Sequence, residues 1–293
     1  MKHSGTKKRS QFVFKSVFGL ILFFYTMVLC SLFFYAIVNS LKDLFQFVDD
    51  PVGFPKQWKF SNYPFVFAQM SSKVSPTLTY YIEHMFFGSL LSTLLCTLAV
   101  TLATFLMAYA SAQFPHKIMS KVIYVLVMIC IIIPIIGSYP SEMRVIKTLN
   151  IYNNILGIFF LKFSFGNMYF LILYEAIKGI PKDYSEAAQM DGASKLRVML
   201  QIMVPMIKNI LGSIFLVQFI NFWNDYTTIL MYFPKFPNLS LGLIGFSFNT
   251  SGAVAATPIK LAACIICIIP IAALFAIFQK PLMDNVSAGG LKG

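Results

Sequence analysis

The sequence predicts an all-α fold, that of a polytopic integral membrane protein with six transmembrane helices. Of its 293 residues, 58% are hydrophobic and only 12% are charged, and its mean hydropathy is +0.74. Soluble domains carry about twice that charged fraction, so this chain has too few charges to cover a water-facing surface. Most of its surface is therefore expected to face lipid.

Six apolar stretches are long enough to cross a bilayer, which takes about 20 residues of helix. Backbone polar groups inside lipid must be satisfied within the segment, so these stretches are predicted to be helices rather than irregular chain. A barrel would instead show alternating apolar and polar residues. The predicted spans are 16–38, 85–114, 122–141, 154–174, 210–233 and 261–278.

The basic residues predict the orientation of the chain. Six crossings place both termini on one side, and that side carries 14 of the 23 basic residues. They are Lys2, Lys7, Lys8, Arg9, Lys15, Lys117, Lys121, Lys178, Lys182, Lys195, Arg197, Lys208, Lys280 and Lys292. By the positive-inside rule, both termini are expected in the cytoplasm. The net charge of +12 is thereby explained by topology, and no nucleic-acid partner is expected.

The long cytoplasmic loop 178–205 is polar, and its residues predict two short helices. Asp183 can cap the first helix, with Glu186 at the spacing of a capping box. Gly192, directly after Asp191, suits the turn that ends this helix. Ser194 can cap a second short helix, which is expected to end at Pro205.

The first of these helices has about nine residues and a length of about 14 Å, and isolated helices this short are marginally stable in water. One face carries Tyr184, Ala187, Ala188 and Met190, which are small enough to allow close approach of another surface. The helix therefore either docks into a groove on another protein or is a connector on the membrane surface. The residues alone leave both alternatives open.

A pattern in this loop resembles the EAA loop of ABC importer permeases. The stretch EAAQMDGASKLRVMLQIMVP has Glu-Ala-Ala, Gly, Ile and Pro at the spacings of that loop, with Val204 where Leu is usual. FWNDY at 222–226 resembles the Trp-Asn-Asp segment of the maltose-type, MalG-like carbohydrate permeases. NVSAGGLKG at 285–293 resembles their C-terminal ending. The chain is thus similar to the binding-protein-dependent transport system inner membrane components of this carbohydrate group.

The resemblance implies a type I ABC importer permease fold in a bacterial plasma membrane. It implies three regions: 1–84 with the first helix and an extracellular loop, the core transmembrane domain 85–280, and a cytoplasmic tail 281–293. The 178–205 loop would couple to an ATPase. The coupling residues would be Asp183, Tyr184, Glu186, Ala187, Ala188, Asp191, Gly192 and Pro205.

The resemblance also implies partners. These are a second, non-identical permease, two ATPase subunits and an extracellular solute-binding protein that delivers a carbohydrate. Since the chain has no Walker lysine motif, ATP and Mg²⁺ would be held by the ATPase, and the chain itself would be non-catalytic and without a cofactor or metal. An outward loop resembles the scoop loop that displaces sugar from the solute-binding protein. Its candidate residues are Asn249, Thr250, Ser251 and Gly252.

Two charged residues inside predicted spans indicate a substrate pathway, because ionisable groups in membranes usually mark function. Lys162 and Asp225 each lie 16 residues from the cytoplasmic end of their span, about 24 Å, so they are expected at similar depth and can pair. Asn221, Trp223 and Asn224 lie nearby and would add hydrogen bonds and a stacking face for a sugar. In the alternative, Trp223 anchors at the membrane interface and Lys162 snorkels outward.

The residues argue against two other classes of function. An ion-coupled secondary transporter would act alone, but the sequence shows no internal repeat and few acidic residues inside spans. A membrane enzyme would need a reactive constellation, and the three histidines do not form a His-Glu-x-x-His metal site. Both alternatives predict function from this chain alone, whereas an ABC permease works only with its partners.

Overall fold

The structure is a computed structural model that describes residues 3–75, 77–114, 117–133, 137–164 and 166–288, with side chains described from 14 to 276. The chain is mainly helical. The helices are α1 (His3–Ser40), α2 (Leu44–Asp49), α3 (Asn62–Gln69), α4 (Ile82–Gln113), α5 (Ile118–Ile132), α6 (Tyr139–Thr148), α7 (Ile155–Lys162), α8 (Tyr169–Lys178), α9 (Asp183–Met190), α10 (Lys195–Val198), α11 (Val204–Trp223), α12 (Tyr226–Tyr232), α13 (Leu239–Phe248) and α14 (Thr257–Ala288).

Three shorter features complete the described secondary structure. A π-helix (Met199–Met203) joins α10 to α11, and a 3₁₀ turn (Gly252–Ala255) precedes α14. Strands β1 (Ser71–Ser75) and β2 (Leu78–Tyr81) form an antiparallel hairpin immediately before α4. The all-α expectation therefore holds apart from this one small hairpin in the described chain.

Four helical stretches among the described residues are long and apolar enough to cross a membrane. They are Phe14–Ser40, Ile82–Gln113, Lys195–Trp223 and Thr257–Ala276. They correspond to the first, second, fifth and sixth predicted spans. The third span corresponds to α5, which has 15 residues. The count of six transmembrane helices therefore stays a prediction.

The prediction of one continuous helix over 154–174 was wrong, because the helix is interrupted between the end of α7 at Lys162 and the start of α8 at Tyr169. At the break, Asn167 Oδ1 accepts the Tyr169 N–H at 3.0 Å, which starts the new helix. Asn167 Nδ2 donates to Thr104 Oγ1 of α4 at 2.8 Å. At Gly166 a Cβ would lie 2.9 Å from Cys130 Cβ of α5, so only glycine fits here. These tertiary contacts hold the break in place.

Close contacts divide the chain into two compact units, one formed by 1–70 with 246–266 and the other by 71–245 with 267–293. In the first unit, the membrane stretch of α1 is unburied, whereas its last residues are packed beneath the 41–70 segment. Asn62 Nδ2 donates to the carbonyls of Ser40 and Lys42, at 2.7 and 2.9 Å. The division at 84 and 280 predicted from the sequence remains a prediction.

Two carboxylates of the 41–70 segment are held in the charged form by hydrogen bonds. Lys59 Nζ donates to Asp43 Oδ1 at 2.8 Å and lowers the pKa of Asp43. The Gly53 N–H donates to Asp50 Oδ1 at 2.8 Å and lowers the pKa of Asp50. Both groups are therefore ionised at neutral pH, and they help to fix the segment's irregular backbone.

In the second unit, α4 is the central helix and packs against α5, α7, α8 and α11. Its buried face is built largely from small residues, including Ser89, Thr93, Thr97 and Ala103. Small residues let helix backbones approach closely, which is how helices pack tightly in membranes. One apolar cluster lies around Phe105, Phe170 and Ile207, and another around Cys96, Ile158 and Tyr232.

Candidate functional site

The first turn of α9 differs from the predicted capping box. Lys182, not Asp183, occupies the N-cap position, and it makes no side-chain cap. Lys182 has helical backbone angles (φ −63°, ψ −25°), because its carbonyl already accepts the Ser185 and Glu186 N–H groups. The helix thus starts one residue earlier than expected. Asp183 and Glu186 lie in the first turn, where carboxylates interact favourably with the helix dipole.

The end of α9 confirms the predicted glycine turn after Asp191. Gly192 has φ +87°, in the left-handed region that favours glycine. Its N–H donates to the Gln189 carbonyl at 3.0 Å, and the Ala193 N–H donates to the Ala188 carbonyl at 2.9 Å. This pair of bonds is a Schellman motif. Nothing in the described chain lies within 4 Å of where a Cβ would be, so the turn points into open space.

Beyond the turn, Ser194 caps the next helix as predicted, accepting the Arg197 N–H at 3.3 Å. The expectation that this helix ends at Pro205 was wrong: α10, the π-helix and α11 run on continuously to Trp223. The π-helix explains why, since the Val204 N–H bonds the Met199 carbonyl and widens the turn before Pro205. A regular α-turn there would clash with the proline ring.

The surface of the 178–205 loop combines exposed apolar side chains with a polar helix. Met190 is 88% exposed and Tyr184 53%, and Ala187 is also exposed. Beyond the Gly192 turn, Leu196 and Leu200 are 62% and 53% exposed. In α9 only Ser185 is buried. A short, exposed helix with apolar side chains on both sides of a tight turn is typical of a protein-contact surface.

A cavity of about 280 Å³ lies behind α9, between that helix and the end of α4. Its walls include Gln113, Phe114, Lys182, Ser185, Glu186 and Lys195. The Lys195 and Lys117 ammonium groups lie 5.3 and 5.6 Å from the centre of the Phe114 ring, in cation–π contact. The Ser185 hydroxyl is buried without a hydrogen-bond partner among the described residues. The helix α9 is therefore supported loosely on this side.

The structure brings Lys162 and Asp225 together, as predicted. Lys162 ends α7, and Asp225 lies between α11 and α12. Lys162 Nζ is 3.6 Å from Asp225 Oδ2, and the two side chains are 25% and 23% exposed. Lys162 Nζ also lies 5.5 Å from the centre of the Phe222 ring. This arrangement excludes the alternative in which Lys162 snorkels away from the protein.

Asp225 has a second, structural role that the sequence did not reveal. It caps α12, since Oδ1 accepts the Thr228 N–H at 2.9 Å and Oδ2 accepts the Thr228 hydroxyl. Asn238 Nδ2 donates to the Asp225 carbonyl at 3.1 Å. Asp225 therefore has donors besides Lys162. Together, Lys162, Asp225, Phe222 and Thr228 are called the ion-pair site below.

The three neighbours predicted for the ion-pair site have different positions. Asn221 and Asn224 are exposed; Asn221 Nδ2 donates to Gln218 Oε1 at 3.3 Å and Asn224 Nδ2 to the Ile220 carbonyl at 2.8 Å. Trp223 is only 2% exposed. Its ring stacks on Phe219, and its N–H donates to the Cys267 carbonyl at 3.4 Å. The Trp223 ring is therefore packed in the core. It is not available to stack on a sugar, and it does not anchor the chain at the membrane interface.

A second polar contact in the same unit was missed by the sequence analysis. The Tyr232 hydroxyl donates to Glu142 Oε2 at 2.8 Å, joining α12 to α6. Ser138 also donates to Glu142, through Oε1. The only sequence signal was the position of Glu142 at the edge of a predicted span, and Tyr232 lies 90 residues away. Sequence spacing alone cannot pair residues so far apart.

The remaining predicted residues lie in the 249–252 turn and in the tail. Asn249 to Gly252 are all exposed, and Asn249 Oδ1 accepts the Ser251 N–H at 2.9 Å. Gly252 has φ +56°. The tip is therefore the turn that was expected, while its role as a scoop loop remains a prediction. In the predicted tail ending, 285–288 belong to α14, and 289–293 lie outside the described residues.

One known family matches a long continuous stretch of the chain, which includes most of the second unit. Residues 101–286 match the family described as "Binding-protein-dependent transport system inner membrane component". The matched stretch contains the 178–205 loop and the ion-pair site. It covers well over half of the chain.

Curated relatives are similar over shorter stretches. The maltodextrin transport system permease protein MdxG of Bacillus subtilis strain 168 is 33% identical over 116 residues, 39% of this chain and 41% of MdxG. The melibiose/raffinose/stachyose import permease protein MelC of the same strain is 31% identical over 119 residues, again 39% and 41%. The inner membrane ABC transporter permease protein YcjP of Escherichia coli K12 is 28% identical over 163 residues, 55% and 53%. This chain spans about half or less of these relatives.

A solved structure shares the fold over nearly the whole chain. It is a chain from the crystal structure of a bacterial ABC transporter involved in the import of the acidic polysaccharide alginate. The TM-score is 0.77 at 19% identity, covering 93% of this chain and 97% of that one. The likeness shows that the two chains have the same fold.

Proposed function

Because this chain belongs to the family of binding-protein-dependent transport system inner membrane components, we propose that it is a permease subunit of an ATP-driven carbohydrate importer. It forms half of the translocation pathway in a bacterial plasma membrane. The single observation that carries the proposal is the 178–205 loop. Within the family match, this loop presents a short exposed helix ended by a tight glycine turn.

The geometry of that loop supports a coupling step. α9 is the coupling helix: it seats in a cleft of an ATPase subunit through Tyr184, Ala187 and Met190, which are exposed. The Gly192 turn lets the cleft close on the chain, because no side chain projects there. Movement of the cleft on ATP binding passes to α11 through the continuous stretch Lys195–Trp223. The shape of the 178–205 loop is maintained by its other predicted coupling residues, Asp183, Glu186, Ala188, Asp191 and Pro205.

The proposed complex contains two ATPase subunits, a second, non-identical permease and an extracellular solute-binding protein. ATP and Mg²⁺ are held by the ATPase subunits, and this chain performs no catalysis. In this arrangement both termini lie in the cytoplasm and the chain crosses the membrane six times, with α5 and the α7–α8 pair as the third and fourth crossings. The 249–252 turn faces the solute-binding protein.

The ion-pair site lines the outer part of the pathway in this proposal. Lys162 and Asp225 are partly exposed, and Asn221 and Asn224 are exposed beside them. Charged and amide groups at one place offer the donors and acceptors that bind sugar hydroxyls. Trp223 is left out of the pathway because it is buried. Two relatives are named for carbohydrates, MelC as a melibiose/raffinose/stachyose import permease and MdxG as a maltodextrin transport system permease, and these names support a carbohydrate as substrate.

The test is affinity purification of this chain from its native cell in mild detergent, followed by mass spectrometry and by transport in liposomes. An ATPase and a second permease in stoichiometric amounts, with uptake that requires ATP and a binding protein, would support the proposal. The ligand of the binding protein would then identify the substrate. Purification of the chain alone, with uptake driven by an ion gradient and no ATP, would refute it in favour of a secondary transporter.

A further inference from the structure

An exposed apolar surface follows the first membrane helix directly. In the loop 44–60, called the interfacial loop here, seven large apolar side chains are at least 41% exposed. They are Leu44, Phe45, Val48, Val52, Phe54, Trp58 and Phe60. Exposed apolar groups are common singly, but a cluster of this kind marks a surface that contacts a membrane or another protein.

The position of this loop relative to the bilayer is fixed by α1. The apolar stretch of α1 ends at Ser40, and α2 begins at Leu44. Three intervening residues span about 10 Å at most. The Lys59 N–H donates to the Leu41 carbonyl at 2.8 Å, which ties the far end of the loop to the same place. Both ends of the interfacial loop therefore lie beside the end of the apolar stretch of α1.

One side chain reaches back along the membrane helix itself. The Phe54 ring packs edge-on against the Phe34 ring, with 6.0 Å between ring centres. Phe34 lies six residues before Ser40, or about 9 Å into the span. Phe34 is itself 56% exposed, and every side chain of α1 from 14 to 35 is exposed. Phe54 therefore packs on the part of α1 that the sequence predicts to cross the membrane.

The rest of the loop suits the headgroup level. Trp58 stacks on Phe60 with 6.4 Å between ring centres, and aromatic rings of this kind concentrate at membrane–water interfaces. The nearby charges are largely paired within the segment: Lys59 with Asp43, and Lys42 with the Asp50 carbonyl. These three charged side chains thus have partners, while the apolar side chains remain uncovered.

We propose that the interfacial loop binds the lipid surface beside α1, with Phe54 in the acyl-chain boundary and Trp58 among the headgroups. Its partner is phospholipid, not protein. The loop anchors the end of α1 at a fixed depth and angle, so that the helix does not slide when the complex changes conformation. The proposal rests on the membrane crossing of α1 and is independent of the transported solute.

Tryptophan fluorescence tests the proposal, because the chain has only two tryptophans, Trp58 and the core residue Trp223. The emission of the intact complex in lipid nanodiscs minus that of the Trp58→Phe variant isolates Trp58. Lipids brominated near the headgroup end of their chains are expected to quench most of this difference emission. Lipids brominated near the chain ends are expected to quench it less, and aqueous iodide least.

Phe54→Asp is the disrupting variant, and Phe67→Asp, in α3 outside the loop, is its matched control. Phe54→Asp should weaken lipid quenching of Trp58 and increase iodide quenching, while the control leaves both unchanged. Strong iodide quenching of the parent protein with no effect of brominated lipid would overturn the proposal. Protection of Trp58 from iodide only when the solute-binding protein is added would also overturn it, and would assign the surface to that protein. ATP is absent from the assay, so its outcome is separate from that of the transport test.

Discussion

The 178–205 loop and the ion-pair site are built in different ways from the same chain. The loop takes its shape from neighbouring residues: the bonds around Gly192 and Ser194 span no more than five positions. The ion-pair site joins Lys162 to Asp225 across the fold. The first is a surface that the described residues leave exposed, and the second is an internal contact. Substitutions in the loop should therefore affect coupling to the partner proteins, whereas substitutions in the ion-pair site should affect both stability and transport.

The largest effect is expected from Gly192→Leu. The turn has open space around it, so the chain should still insert, at a cost of about 1–2 kcal/mol for forcing φ +87° on a branched residue. Uptake should be abolished, because the new side chain holds the ATPase away. Membrane abundance and ATP-dependent uptake are measured together.

Gly192→Asn is the matched control, since asparagine tolerates the left-handed region better than other residues. If conformation alone matters, Gly192→Asn should retain most of the uptake. If close approach matters, as proposed here, it should lose most of it despite near-normal abundance. Normal uptake by Gly192→Leu would remove the coupling role of this turn.

A smaller but two-sided effect is expected from Asp225→Ala. The substitution removes the cap of α12 and the partner of Lys162, and loss of an N-cap costs about 1–2 kcal/mol. Both thermal stability in detergent and uptake should fall. Asp225→Asn, which can still accept the Thr228 N–H, should recover the stability but not the uptake. Equal loss of stability in the two variants would show that the cap is not what the carboxylate provides.

Lys162→Met should lower uptake severalfold with little loss of assembly. Asp225 retains its bonds from Thr228, and partly exposed ion pairs contribute about 1 kcal/mol or less. The double variant with Asp225→Asn tests whether the two residues act as a pair. Paired action predicts that the second substitution adds little to the first, and simple addition of the two effects would argue for independent roles.

The smallest effect is expected from Ser194→Ala, which removes the cap of α10. The cost should be about 1 kcal/mol, and uptake should fall modestly because the turn between α9 and α10 loosens. Ser194→Asp, which can cap equally well, should behave as the parent chain. Protease sensitivity of the loop and uptake are the measurements. A Ser194→Ala variant more impaired than Asp225→Ala would reverse the proposed ranking.

The sequence predicted those features that depend on near neighbours. The glycine turn and the Ser194 cap followed from residue types alone, and the four long apolar helices followed from composition. The start of α9 was missed by one residue because the Lys182 carbonyl, not the Asp183 side chain, begins the helix. Here a backbone bond replaced the expected side-chain bond.

Features that depend on distant residues were predicted only in part. The break before α8 requires the bond from Asn167 to Thr104, 63 residues away, so apolar length alone gave one continuous helix. The pairing of Lys162 with Asp225 was obtained from a depth estimate that assumed this continuous helix, and it held because both residues still end up beside each other. Trp223 was expected at a surface, but its neighbours Phe86 and Phe219 bury it.

The central claim, that α9 docks into an ATPase, is tested most directly by photo-crosslinking from position 190. Met190 is 88% exposed on α9, so a photoreactive benzoylphenylalanine there should not disturb the fold. We expect one major crosslinked product in native membranes, which mass spectrometry identifies as a chain with a Walker lysine motif. The same probe at Val145, which is exposed on α6, should not give that product. Crosslinking from position 190 only to lipid or within the chain itself would contradict the account.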